Sequence, residues 1–354
     1  MIKRIIVVAS DSIHSRRYLT ALVNEASVEL VGVVTNHRLK EFAAIPQLTL
    51  NFKLTNLNAA ATIRQFIQSL AAEVVHIHQA NSYAWHSLRA LARIHSRPKT
   101  IVTCWGSDIL VLPHKSKLMH KMVSYNLQHA DIITTDSLYA SGKALLLLAH
   151  TPKPIETINF GLTQIPKPVD LAGKEKIILS NRLHKPLYRI DRIIRAFAAM
   201  VQQGQIDAEY RLVIAAGGEL SPKLHQLATD LGVIKRITFT GMISYDELVT
   251  WYQKAQIFIS IPESDGTASS LLEAMAYGCI PLVSCLPANL EWILDQVNGL
   301  VVTNPELMTA TLGLALKLAA DLTAYQQLYA FNYALIQKKA TASTNLQRFF
   351  ALYQ

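Results

Sequence analysis

Cysteine is scarce: Cys104, Cys279 and Cys285 are the only three in 354 residues. They form no metal-ligand spacing and no disulfide framework, and they read as reduced thiols of a cytosolic protein. Long apolar runs are missing too, since no stretch approaches the roughly 18 residues a membrane helix needs. The opening MIKRIIVVASDS has too short an apolar run for a secretory signal, and a charged helix pattern follows it. Charged residues make up 17% of the chain against 51% hydrophobic ones, which excludes a disordered chain and fits a well-buried α/β protein. There is no low-complexity tract or short repeat. Acidic residues are few in the first half. Residues 1–170 hold 18 Lys and Arg against 10 Asp and Glu, and the remainder holds 16 against 15, so the net +9 is nearly all in the first half. No aromatic-interleaved basic motif points to nucleic acid, and no nucleic-acid partner is expected. An anionic membrane leaflet, touched without insertion, fits this charge, and solubility is its plainer use.

What is present is an alternation of strand and helix patterns. Apolar runs at Ile5–Ala9, Val28–Val34, Val74–Ile77, Thr100–Thr103, Ile132–Thr135 and Thr157–Asn159 read as strands. Helical spacing fills the gaps at 15–25, 63–72, 84–94, 117–128 and 140–148. The pattern breaks over the Pro- and Lys-bearing stretch Gln164–Lys176 and then restarts, with strands at Ile177–Ser180, Tyr210–Ala215, Ile237–Thr240, Ile257–Ile261 and Pro281–Ser284. A chain of this length exceeds one typical core, so the expectation is two doubly wound domains joined by that stretch.

The most informative segment is Ile257–Ser284, IFISIPESDGTASSLLEAMAYGCIPLVS. A strand stops at Pro262, a polar loop carries Asp265 and Gly266, a helix runs over Ala268–Tyr277, and a strand begins at Ile280. Main-chain N–H groups of Thr267, Ala268, Ser269 and Ser270 would point at an anion there. Glu273 lies one to two turns further in. A diphosphate on the helix start and a sugar hydroxyl on Glu273 would fit one nucleotide ligand.

This segment resembles the signature of family-four retaining glycosyltransferases of group 1 type, which have the GT-B fold. That signature is two glutamates separated by seven residues, the second followed by Ala-Met-Ala and a Gly. Asp265 takes the first position with one methylene less, and Glu273 the second, followed by Ala274, Met275, Ala276 and Gly278. The resemblance implies two Rossmann-like domains with a cleft between them. Residues 1–165 would bind the acceptor and 166–335 the nucleotide sugar, and a C-terminal helix over 336–354 would cross back onto the first domain.

It also implies roles for residues at strand ends, where such sheets bind ligands. Arg182 and a second cation, either Lys185 or Arg189, would neutralise the departing diphosphate. Asp265 would hold hydroxyls of the donor sugar. Gly217, Gly241 and Ile243 lie in loops whose backbone would meet the nucleotide, with Gly266 and residues 267–270 on the diphosphate and Glu273 on the ribose. The acceptor side is looser. The usual Gly-rich loop after the first strand is missing, and SDSIHSRRYL offers His14 to the acceptor and Arg17 to a phosphate. Helix capping and solvated arginines are the plainer readings. His76 and His78 end a strand on one face, near the expected acceptor site, and a zinc site is rejected for want of a third ligand. Trp105 stands where the family has His and could stack on a sugar, while Asp108 is an acceptor contact or a helix cap.

The activity implied is a retaining, metal-independent sugar transfer from a nucleotide-sugar co-substrate, a UDP-sugar favoured over a GDP-sugar, with no cofactor. The acceptor would be lipid-linked or a polysaccharide, in the synthesis of capsule, exopolysaccharide or lipopolysaccharide. The place would be the cytoplasm, at the inner face of the cell membrane. A nucleotide-sugar epimerase or phosphorylase, or a non-catalytic partner of the same fold, are the alternatives.

Overall fold

The computed structural model describes residues 2–354 and divides into two compact units, one ending at Phe160 and completed by Thr344–Gln354, the other Gly161–Ser343. The sequence placed these borders at 165/166 and 335/336.

In the first unit seven parallel strands lie in the order β3-β2-β1-β4-β5-β6-β7. They are β1 (Lys3–Val8), β2 (Val28–Thr35), β3 (Gln47–Thr49), β4 (Val74–His78), β5 (Lys99–Thr103), β6 (Ile132–Thr135) and β7 (Ile155–Thr157). The helices are α1 (Ile13–Val23), α2 (Ala59–Ser69), α3 (Ser82–Leu91), the single turn α4 (Ser107–Leu110), α5 (Lys117–His129) and α6 (Leu138–Leu148). Both sheet faces are covered, so β1 reads as the unbroken run Ile5–Val8, fully buried. Ile6, Val8, Val75 and Ile77 face α2, α3, α5 and α6; Ile5, Val7 and Val74 face Tyr18, Leu19 and Leu22 of α1 together with Phe349 and Tyr353 from the chain end. Serine caps start α1, α5 and α6, each accepting an N–H three residues on.

In the second unit six parallel strands lie in the order β10-β9-β8-β11-β12-β13. They are β8 (Glu175–Ser180), β9 (Arg211–Ile214), β10 (Ile237–Phe239), β11 (Ala255–Ser260), β12 (Ile280–Ser284) and β13 (Leu300–Val302). The helices continue as α7 (Ile190–Gln202), α8 (Ser221–Asp230), α9 (Tyr245–Lys254), α10 (Ser269–Ala276), α11 (Pro287–Leu290), α12 (Met308–Ala320), α13 (Leu322–Lys339) and α14 (Ala342–Ala351), the last running from this unit into the first. A capping box, Ser244 with Glu247, starts α9.

Three details differ from the sequence reading. β3 (Gln-Leu-Thr) and β13 (Leu-Val-Val) are three-residue strands that the sequence reading did not include. The strand expected at 157–159 lies at 155–157. The C-terminal helical stretch breaks at Ala340, where Thr341 bridges to Leu162. Among the described residues no single helix is long and apolar enough to cross a membrane.

Each sheet reverses its strand order once, between β1 and β4 and between β8 and β11. Loops at the carboxyl ends of those four strands are where an open parallel sheet binds ligands. Residues 9–17 and 79–81 occupy the first switch point, and residues 181–189 and 261–268 the second.

Candidate functional site

At the second switch point, Arg182 leaves β8 and reaches across to the loop after β11. Its Nη2 donates to Asp265 Oδ2 at 2.6 Å and its Nη1 to Ser270 Oγ at 3.0 Å. The ring of Tyr188 lies 4.5 Å from the guanidinium carbon. The Arg182 side chain is 11% exposed. Burial opposes its charge, but Asp265 and Tyr188 outweigh that and hold its pKa above the ordinary value.

Ser270 stands in the first turn of α10. The N-cap, Ala268, offers no side-chain oxygen. The first-turn N–H groups therefore lack a side-chain cap and carry the positive end of the helix dipole. Further along α10, Glu273 is 5% exposed and its Oε2 accepts from Tyr252 Oη at 3.0 Å. Asn181, next to Arg182, donates to the same Tyr252 oxygen at 2.7 Å. Burial, then the Glu273 charge, push the Tyr252 phenol far up, so it stays a neutral donor. Thr267 Oγ1 accepts from Trp292 Nε1 at 3.3 Å, which ties the loop to the segment after α11.

The two candidate second cations differ. Arg189, in a left-handed conformation at the start of α7, pairs with Glu263 at 3.2 Å. Lys185 is exposed and no ion pair reaches it among the described residues. Gly217 and Gly218 follow β9. A Cβ on Gly218 would meet the His184 carbonyl oxygen at 2.8 Å, and the His184 N–H donates to Gly217 O at 3.1 Å. The main task of Gly218 is thus to let two loops touch. Gly241 has φ +69 and open space beside it, and Ile243 packs half-buried on the core beside Tyr252.

The first unit gathers aromatic rings at its switch point. His14 meets Trp105 edge-on at 5.2 Å, and His78 lies 5.5 Å from Trp105 and 4.8 Å from Tyr18. His78 is 1% exposed, neither ring nitrogen has a partner, and burial lowers its pKa to about 3. His76 is fully engaged: Nδ1 with Tyr353 Oη at 2.7 Å and Nε2 with Thr103 Oγ1 at 2.6 Å. Burial, then Arg17, lower the His14 pKa. His14 is not the helix cap; Ser12 fills that place. Asp108 corrects the expectation most. It is 3% exposed, with Oδ2 accepting from Ala80 N at 2.6 Å and Oδ1 from Trp105 N at 2.9 Å. Burial raises its pKa to about 6. It fastens the loop after β4 to the loop after β5.

Two family models match this chain. Glycosyl transferases group 1 matches residues 163–326, and Glycosyl transferase 4-like matches residues 4–137. The chain belongs to the group 1 glycosyltransferases. N-acetyl-alpha-D-glucosaminyl L-malate synthase of Bacillus anthracis is 25% identical over 233 residues, 63% of this chain and 59% of that protein. GDP-mannose:cellobiosyl-diphosphopolyprenol alpha-mannosyltransferase of Xanthomonas campestris is 27% identical over 124 residues, 33% of this chain and 32% of its own length. The matches thus span from a third to three-fifths of these relatives. The crystal structure of Anabaena HepE in complex with UDP superposes with a TM-score of 0.79 at 14% identity, covering 99% of both chains. That likeness establishes the GT-B fold.

In this glycosyltransferase family member the structure brings Arg182, Asp265 and Ser270 into direct contact, and places Glu273 two hydrogen bonds from Asn181. Reasoning from sequence missed Asn181, His184 and Tyr252. Asn181 had a signal, its place beside Arg182 at a strand end. Tyr252 had none, because it sits in α9 and reaches Glu273 only through the fold.

Proposed function

We propose that this protein is a retaining glycosyltransferase that moves a sugar from a nucleotide-sugar donor to a lipid-linked or polysaccharide acceptor in cell-surface glycan synthesis. The observation that carries this is the Arg182–Asp265–Ser270 contact at the start of α10, at the switch point of the second sheet. A planar, charged guanidinium beside uncapped helix N–H groups suits a diphosphate.

In the reaction the bond between the sugar C1 and the phosphate oxygen breaks, and the bond from C1 to the acceptor oxygen forms on the same face. The acceptor proton passes to the leaving phosphate. Charge developing on the diphosphate is met by Arg182, by Lys185 and by the N–H groups of residues 267–270. Lys185 is the better second cation because Arg189 is held by Glu263. Asp265 gives one oxygen to Arg182 and keeps Oδ1 for a donor-sugar hydroxyl. Glu273 holds the ribose, with the loops at Gly217, Gly241 and Ile243 around the base. No protein nucleophile is assigned, and these cations fill the place of a metal. The names of the Bacillus and Xanthomonas relatives both carry an alpha linkage, which supports retention.

HepE was solved with UDP, and the Xanthomonas relative is named for GDP-mannose. A UDP-sugar remains the favoured donor. The acceptor is chosen by the first unit, where His14 and Trp105 offer a sugar contact and Arg17 a phosphate contact; the His78 ring packs against Trp105 at 5.5 Å. The basic first half supports a position at the inner face of the cell membrane.

A thermal-shift screen against UDP, GDP, ADP and their sugar conjugates tests the reading. A rise in melting temperature with one nucleotide family is expected, because a ligand of the folded state stabilises it by mass action. A flat response to all of them favours a non-catalytic member of the fold.

A further inference from the structure

Between α2 and α3 of the first unit lies a cavity of about 100 Å³ lined by three arginines: Arg64 from α2, Arg89 from α3 and Arg93 just past its end. Arg89 and Arg93 are four residues apart, which sets them on one side of the chain. No ion pair reaches any of the three among the described residues. None is at hand locally. Between Phe42 and Ser107 the one acidic residue is Glu73, and Lys3 takes it at 3.1 Å. Arg16, Arg97, Arg182, Arg189 and Arg192 all find carboxylates. Three like charges around one small space repel each other, and an oxyanion bound by their forked N–H groups relieves that.

The surroundings are apolar in a particular way. Leu57 lines the same cavity and is 87% exposed, the most of any large hydrophobic side chain described. The Arg89 guanidinium lies over the Trp85 ring at 5.2 Å. Cations beside an exposed leucine and a half-buried tryptophan match the boundary of a phospholipid layer, phosphate to the arginines and glycerol-acyl carbons to Leu57. The same helical layer carries further exposed leucines at Leu118 of α5 and at Leu145 and Leu146 of α6, 65%, 59% and 75% exposed. The position is separate from the acceptor-side residues of the same unit. A helix between parallel strands runs back from the carboxyl to the amino edge of the sheet, so Arg89 and Arg93, at the end of α3, lie at the far edge from His78 and Trp105.

We infer that Arg64, Arg89 and Arg93 form a phosphate-binding site for the headgroup of an anionic phospholipid, by which the first unit holds a membrane surface. The inference deepens the proposed action at a membrane and rests on that reading for its purpose.

The test is flotation of the full chain with phosphatidylcholine vesicles made with and without phosphatidylglycerol. Wild type is expected to float only with phosphatidylglycerol. R89Q/R93Q is expected to lose about tenfold or more in affinity, and R64Q to lose in the same direction. K117Q/K121Q removes two exposed charges of the same unit and is expected to lose under about threefold. Equal losses in the two double variants mean general charge attraction and overturn the site, as does failure of wild type to float. Should the double variant not fold, R64Q against K117Q/K121Q decides. A parallel titration with inorganic phosphate separates the sources. Saturable phosphate binding that R89Q/R93Q abolishes, without vesicle binding, makes the ligand free phosphate and overturns the lipid assignment. Nucleotide binding by the wild type is scored in the same preparation, so failure of the transferase reading shows in a different channel from failure of this one.

Discussion

Arg182 and Asp265 face each other at 2.6 Å across the mouth of the second sheet, and the other arm of the same guanidinium holds Ser270 at 3.0 Å. One side chain thereby joins the ends of β8 and β11 to the first turn of α10. Asp265→Asn removes the charge that keeps Arg182 in place. We expect a stability loss of about 1–3 kcal/mol by urea unfolding, and weaker discrimination between donor sugars in a competition assay. Unchanged sugar preference would take Asp265 out of the donor-sugar contact.

Glu273 is fixed by a chain of two hydrogen bonds through Tyr252 to Asn181. Glu273→Ala should weaken nucleotide binding by about tenfold or more, and Tyr252→Phe by less, since it removes one hydrogen bond to Glu273 and keeps the carboxylate. Calorimetry with the nucleotide that gives the largest thermal shift reads both. Equal affinity in wild type and Glu273→Ala would remove Glu273 from the ribose contact.

Lys185 and Arg189 are separable by the same logic. Lys185→Ala should lower kcat by about tenfold to a hundredfold with donor affinity nearly kept, because its charge serves the departing diphosphate. Arg189→Ala should change kcat little, its charge being held by Glu263. The reverse order would move the second cation to Arg189.

The parts legible in the sequence were those set by short spacing. The run Ile257–Ser284 placed a strand, an anion-binding loop, a helix and a strand in order, because periodicity and Pro/Gly punctuation act locally. The two doubly wound blocks followed from the same alternation. β3 stayed hidden because Gln-Leu-Thr has no β-rich run and takes its pairing from its neighbour, and β13 because Leu-Val-Val is shorter than the four residues by which a strand is read from sequence. Asp108 was misjudged because a carboxylate after Gly-Ser looks the same whether it faces solvent or two buried N–H groups. Tyr252 was invisible, as its partner is 21 residues away and the contact exists only once α9 and α10 pack.

His78 makes a prediction about pH. Burial holds its folded-state pKa near 3, against about 6.5 in an unfolded chain. The unfolded chain therefore binds the extra proton between those values. The stabilisation is complete above about pH 6.5 and is lost as pH falls towards 3, by about 2 kcal/mol at pH 5. His78→Leu should shrink the difference in unfolding free energy between pH 7 and pH 5 by about that amount, without loss at pH 7, because both ring nitrogens lack partners. An unaltered difference in urea titrations at the two pH values would contradict it.

The central claim is that the cluster at the start of α10 stabilises a diphosphate as it leaves a sugar. The most direct measurement compares nucleotide release from the preferred sugar donor by wild type and Arg182→Ala, with donor affinity measured alongside by calorimetry. We predict that kcat falls by about a hundredfold to a thousandfold, while the dissociation constant for the donor rises by under about tenfold. Equal rates in the two proteins, or a wild type that binds no nucleotide sugar, would contradict the account.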